Sequence, residues 1–401
     1  MLIDKFLDYV SYDTQSDPYS ETAPSTAKQK VLAQHLKDEL VKLGVTNAVA
    51  DEYGYVYGYI DGDKDMLTIG LVAHMDTSDA ASGKDIKTRI IENYDGKDIQ
   101  LNTNLATTVE RFPNLLNYVG KTLVVTDGTT LLGADDKAGV AAIMETVEYL
   151  MTHPEFKHGP VRVCFTPDEE VGRGTENFDY ENFKVDFAYT LDGGDPNEVE
   201  FENFNAASAV VTFNGVSVHP GSAKDKMINA VKLANEFNNH LDPDAVPEKT
   251  DGYEGFNHWL TVEGDCLTAK SEYILRNHDL NKLMEQKKSF EDAAEKMNTK
   301  YGYTCVDLKL KDDYRNMREK FEGHMEPIEL VKKSMGEVGL NCTYVAIRGG
   351  TDGAALTWKG ILCPNIGTGG QNFHGVHEFW CKEDGEKMVE LTLQILKNAT
   401  K

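Results

Sequence analysis

The sequence predicts an α/β fold: a mixed, mainly parallel sheet flanked by helices, with a smaller α+β domain inserted into it. Three observations predict it. Short continuous apolar runs such as "MLTIGLVAH" (66–74) mark strands buried on both faces, as the strands of a parallel sheet are. Helical stretches alternate with those runs. Near Ala206 the pattern changes to a second arrangement of strands and helices, and from about Glu326 the first returns.

Taken in order, the spacing predicts a helix over 25–43, with Val31, Leu32, Leu36, Leu40 and Leu43 on one face and Gly44 ending it. The 66–74 run is the first buried strand. "TLVVT" (122–126) is the next, leading through a Gly-containing turn to Asp135, Asp136 and the amphipathic helix "KAGVAAIMETVEYLM". "VRVCFTP" (161–167) and "DFAYTLD" (186–192) are two more strands. "SAVVTFNG", a helix over 226–241, "WLTVEGD", "SEYILRNHD", a helix over 279–300 and "TCVDLKLKD" then spell βαββαβ, a ferredoxin-like sandwich. A helix, "YVAIRGGTDG", "ILCPNIGTGG" and a last helix from Glu383 complete the first arrangement. The predicted division is a discontinuous domain, 1–205 and 314–401, carrying a lid or dimerisation domain, 206–313.

Composition narrows the function. The 401 residues carry 66 acidic against 41 basic side chains, a formal charge of -25, which repels nucleic acid and anionic membrane. Six cysteines without a CxxC pair read as free thiols of a reducing, cytoplasmic setting. The opening "MLIDKFLDYVSYDTQSD" has acids among its apolar residues and does not read as a signal peptide. No stretch reaches the roughly 18 apolar residues of a membrane span.

Five strings hold the chemistry: "AHMDT" (73–77), "GADDKAG" (133–139), "TPDEEVG" (166–172), "TLDGG" (190–194) and "NFHGVHE" (372–378). Alone, each has a plainer reading: a turn, a solvated acid pair, or an N-cap at a helix dipole. Together they outweigh those readings. Three of them follow directly on a buried strand, and ligands of open α/β sheets bind beyond the carboxyl ends of the strands.

These strings, with "FLDYVSYDTQSDP", "LLGADDKAG", "TPDEEVGRG", "RGGTDG" and "FHGVHEF", make the chain similar to the dinuclear zinc exopeptidases, the family that includes carboxypeptidase G and the aminoacylases. The resemblance spans essentially the full length. It implies two Zn2+ per chain, with Co2+ or Mn2+ as possible substitutes. His74 resembles a terminal ligand, Asp76 the carboxylate that orients an imidazole, and Asp135 the bridge between the metals. Asp192 would complete the first metal's ligands, and Glu170 and His374 the second's. Glu169 resembles the general base. Asp136 is not a ligand in this reading, and the family commonly holds such a pair through a cis peptide.

Charge arithmetic agrees. Two zinc ions bring four positive charges; Asp135, Asp192, Glu170 and a bridging hydroxide bring four negative ones, leaving a neutral core of N and O ligands. On the substrate side, His219 resembles a histidine that reaches the partner chain's active site, which implies a homodimer through the lid. Arg276 resembles a residue that grips a substrate carboxylate. Within "RGGTDG", Arg348, Gly350 and Thr351 stand where backbone N–H groups could hold a carboxylate or a peptide backbone. The activity implied is removal of the N-terminal residue from tripeptides with a free N-terminus. The alternative keeps the metals and changes the substrate: a dipeptidase, a carboxypeptidase or an N-acyl amino acid amidohydrolase.

Overall fold

Every residue of the Ile69–His74 strand is buried, because parallel strands cover it on both edges. Val161–Thr166 lies on one side, with His74 opposite Thr166, and Phe187–Gly193 on the other, with Val72 opposite Thr190. This register ends all three strands at one edge of the sheet. His74, the turn after Thr166, and Asp192 therefore emerge together, at the edge where open α/β sheets bind ligands. In the computed structural model, which describes residues 1–400, the sheet has eight strands. Their order is Val49–Ala50, Val56–Ile60, Val161–Thr166, Ile69–His74, Phe187–Gly193, Asn365–Gly367, Glu198–Asn203 and Thr343–Ile347. Its centre is parallel, while Val56–Ile60 runs antiparallel to Val161–Thr166 and Glu198–Asn203 antiparallel to Asn365–Gly367.

The Ala134–Thr152 helix begins with Asp135 and Asp136 outside helical φ/ψ and joined by a cis peptide. Gly139 lets this helix approach the sheet: a Cβ there would stand 1.9 Å from the Leu191 carbonyl oxygen. That contact fixes the helix start, and with it Asp135, against the strand carrying Asp192. Beneath the same region Phe6 of the Leu2–Val10 helix stacks on Trp380, ring centroids 4.3 Å apart and both rings fully buried. Stacked aromatics of this size contribute about 0.5–1.5 kcal/mol beyond their buried area.

Three expectations shift. "TLVVT", read as part of the parallel α/β rhythm, belongs instead to a separate antiparallel sheet. There Leu123–Thr126 pairs with Thr88–Ile91 and Phe379–Cys381. The helix expected from Ser25 begins at Gln29, because the Ser25 N–H and hydroxyl both donate to the Asp168 carboxylate. The helix expected over 226–241 is Ala230–Asn238, started by Asn229, whose side-chain oxygen accepts from the N–H groups of Val231 and Lys232.

The chain divides into two compact units: Met1–Phe201, Lys320–Val345 and Thr351–Lys401 in the first; Glu202–Glu319 and Ala346–Gly350 in the second. In the second, Asn205–Asn214, Ala230–Asn238, Phe256–Gly264, Thr268–Asn277, Leu280–Tyr301 and Val306–Tyr314 follow as βαββαβ. The four strands form one antiparallel sheet with the first and third strands central and the second and fourth at the edges. The period-2 pattern is clean in Thr268–Asn277, where Ala269, Ser271, Tyr273 and Leu275 are buried and alternate with half-buried Lys270, Glu272, Ile274 and Arg276. The buried face packs on Phe237 and Leu233 of one helix and Phe290 and Met297 of the other.

Candidate metal centre

Three buried strands deliver most of the site. His74 ends one strand, Asp192 lies near the end of the next, and Glu169 and Glu170 occupy a single turn just beyond Thr166. Asp135 comes from the non-helical start of its helix. His374 comes from a loop and holds φ at 61°, a left-handed conformation uncommon for histidine.

The side chains form two clusters that share one residue. His74 Nε2 lies 3.0 Å from Asp135 Oδ1 and 3.3 Å from Asp192 Oδ1. His374 Nε2 lies 3.1 Å from Asp135 Oδ2 and 3.0 Å from Glu170 Oε2. Each cluster offers one imidazole nitrogen and two carboxylate oxygens within 4.8 Å of one another, a set able to hold a metal ion, and Asp135 offers one oxygen to each.

The electrostatics fit cations. Burial pushes the Glu170 and Asp192 carboxyls up, and the Asp135 charge adds to both shifts. Burial would raise Asp135 too, but the imidazoles hydrogen-bonded to it win and hold it below the usual carboxylate range. Hydrogen bonds to Asp135 and Glu170 push His374 up to about 11. Burial opposes protonation of His74, yet Asp192, Asp135 and Asp76 outweigh it. The carboxylates thus draw protons onto both imidazoles, a role that metal ions fill better. Glu170 Oε1 is buried without a hydrogen-bond partner, as suits an oxygen that would face a cation.

Glu169 belongs to neither cluster. Its N–H donates to Asp76 Oδ1 at 3.0 Å and the Glu170 N–H to Asp76 Oδ2 at 3.2 Å. Fully buried Asp76 also stands 3.4 Å from His74 Nδ1, close enough for an ion pair but not aligned as a hydrogen bond. Its first role in this geometry is to hold the glutamate turn. Burial, and after it the neighbouring Asp192 charge among others, raises the Glu169 carboxyl well above the usual range.

Residues 125–398 match peptidase family M20/M25/M40. The chain belongs to that family. It is 48% identical over 400 residues to peptidase T of Listeria monocytogenes serotype 4b, covering 99% of this chain and 98% of the relative. Among solved structures it is similar to aminopeptidase PepT of Bacillus cereus, at 21% identity and a TM-score of 0.77 over 99% of this chain and 98% of that one. It is likewise similar to a tripeptidase of Staphylococcus aureus, at 19% identity and a TM-score of 0.79 over 99% and 97%. This M20 chain is therefore a peptidase, a hydrolase of peptides, and no helix among its described residues is long and apolar enough to cross a membrane.

The structure gathers His74, Asp76, Asp135, Glu169, Glu170, Asp192 and His374 at one place. The residues expected to read the substrate have the following partners. Exposed His219 accepts the Gly221 N–H at Nδ1. Arg276 donates to the Leu275 and Ala207 carbonyls and lies over the Tyr314 ring. Gly350 packs so closely on Tyr314 that a Cβ would meet its ring at 2.9 Å. Thr351 falls in the first unit, where its hydroxyl accepts the Ala354 N–H as a helix cap. The two terminal nitrogens of Arg348 donate to the Gly252, Glu254 and Thr250 carbonyls, and its guanidinium lies over Phe204 and Phe256. These contacts give its side chain the role of a loop anchor and leave the backbone N–H groups of the string outside them.

Two residues went unassigned in the sequence. Glu378, four positions after His374, accepts the N–H groups of Leu132, Gly133 and Asp135 at 2.7, 2.9 and 3.1 Å. It thereby clamps the backbone that carries Asp135, even as burial pushes its own carboxyl up to about 7. Lys137 is fully buried and donates to the Tyr12 carbonyl at 2.7 Å, and burial pushes its ammonium down to about 7. Both stood inside quoted strings, but nothing in their spacing names their partners.

Proposed function

We propose that this chain is a cytoplasmic aminopeptidase that removes the N-terminal residue of tripeptides, with zinc held by His74, Asp135 and Asp192 and by Asp135, Glu170 and His374. The carrying observation is the pair of clusters sharing Asp135, with an uncoordinated Glu169 beside them. Imidazole and carboxylate donors without cysteine suit a catalytic zinc. Zinc supplies Lewis acidity there, bringing the pKa of water to about 7 and polarising the scissile carbonyl. The remaining steps belong to the chain. Glu169 takes the proton of the attacking water and returns it to the leaving amine. Among the described residues no hydrogen bond is seen to its carboxylate, and the raised affinity of that carboxylate for protons suits it to the task; nearby cations would bring it back toward neutrality. Asp76 keeps the turn in place through both glutamate N–H groups.

The likeness to peptidase T across the whole chain supports the tripeptide reading. Chromatographic product analysis of a tripeptide, its N-acetylated form and the matching dipeptide tests it. Release of the N-terminal residue from the free tripeptide alone is expected. Cleavage of either other substrate would move the assignment to a dipeptidase, carboxypeptidase or amidohydrolase with the same metals.

The reading includes a homodimer through the inserted unit. The edge strand Phe256–Gly264 of that unit leaves Leu260 and Val262 half-exposed, at 50% and 49%, which supports a covering partner there. Sedimentation velocity is expected to give twice the chain mass; a monomer across micromolar concentrations would remove this part of the reading.

A further inference from the structure

Glu169 and Glu170 sit on one short turn, Glu169–Val171, and the residues on either side of it are both left-handed. Gly172 holds φ at 71°, which glycine tolerates. Asp168 holds φ at 59°, an unfavourable state for a residue with a side chain that persists only when its surroundings impose it.

Those surroundings are specific. The Asp168 carboxylate is buried and accepts three hydrogen bonds: from the Ser25 N–H at 2.6 Å, the Ser25 hydroxyl at 2.5 Å and Gln29 Nε2 at 2.6 Å. The Asp168 N–H in turn donates to Gln29 Oε1 at 3.1 Å. The Gln29 amide thus grips side chain and backbone of Asp168 at once, using its donor on one and its acceptor on the other. Gln29 is fully buried at the first residue of its helix, and Ser25 is 5% exposed. Neither belongs to a metal cluster, and the network meets the glutamate turn through Asp168.

From this geometry we infer that Gln29 and Ser25 are positioning residues for the Glu169–Glu170 turn: by locking Asp168 in its left-handed conformation they set the direction in which both glutamates leave the backbone. Asp76 holds the turn by its N–H groups, and the Gln29–Asp168–Ser25 network holds the residue from which it starts. The inference rests on the reading of Glu169 as the base and Glu170 as a metal ligand. Because each glutamate has its own task, loosening the turn harms two separable quantities, proton transfer and zinc retention.

The test uses the full, zinc-loaded chain with Gln29→Met, which keeps length and removes both hydrogen-bonding ends, and with Ser25→Ala and Ser25→Thr. For Gln29→Met, kcat on a tripeptide is expected to fall about 10- to 100-fold with KM unchanged, and zinc affinity against a competing chelator to fall by a similar factor. Ser25→Ala shifts both in the same direction, and Ser25→Thr, which keeps the hydroxyl, restores them. Should Gln29→Met fail to fold, the Ser25 pair decides. Glu169→Gln is measured alongside. If it turns over normally, the reading of the base fails. If it is inactive while Gln29→Met and Ser25→Ala keep normal kcat and zinc affinity, or raise KM alone, the positioning role is overturned.

Discussion

Glu169→Gln is expected to lower kcat by about 10²–10⁴-fold, the range for loss of a general base, while both metal ions stay bound. The amide is nearly the same size and shape, so the turn keeps its bonds from the Glu169 and Glu170 N–H groups to Asp76. What changes is the ability to accept a proton. Neither cluster includes Glu169, so metal content measured by plasma mass spectrometry is expected to match the unaltered chain. The two readouts separate the possible roles. A base gives low kcat with full metal; a ligand gives low kcat with metal lost. Near-normal turnover with full metal would remove Glu169 from the mechanism and leave the clusters in place.

The parts of this site that could be read in the sequence share a physical cause. Ile69–His74 and Phe187–Gly193 are apolar because parallel neighbours bury them, so a histidine or aspartate near the end of such a run stands out against it. The inserted unit was legible for a similar reason: Thr268–Asn277 alternates because helices cover only one face of its sheet. What stayed hidden depends on partners far away in the chain. Glu378 clamps Asp135 from 243 positions away, and Gln29 reaches Asp168 across 139. A single buried glutamine or glutamate carries no periodicity that would announce such a bond. The same cause misplaced the start of the Gln29–Leu43 helix, where a distant carboxylate claims the N–H of Ser25. Arg348 is hidden in the same way: nothing in its Gly-rich string announces that the guanidinium lies over Phe204 and Phe256 and donates to three carbonyls. Leu123–Thr126 shows a further limit, since a buried apolar run of four residues says nothing of which sheet it joins.

For Asp135→Asn the expected result is loss of the metal centre as a whole. Asp135 is the one residue in both clusters, with Oδ1 facing His74 and Oδ2 facing His374. Asparagine keeps a single oxygen and replaces the other by an NH₂ group, a donor with no lone pair to offer. One cluster therefore loses a ligand and gains a repelling N–H. Both lose charge: of the three negative charges set against two zinc ions, only two remain. The fold itself has no reason to fail, because Glu378 is bonded to the Asp135 backbone N–H and leaves the side chain untouched. The prediction is thus a folded chain, judged by circular dichroism, that retains less than one zinc after dialysis and no longer cleaves tripeptides. Restored turnover at millimolar zinc would mean that the bridge sets affinity only. A variant that still keeps two zinc ions per chain at wild-type affinity would place the bridge on another residue, and the assignment of both clusters would have to be redrawn around it.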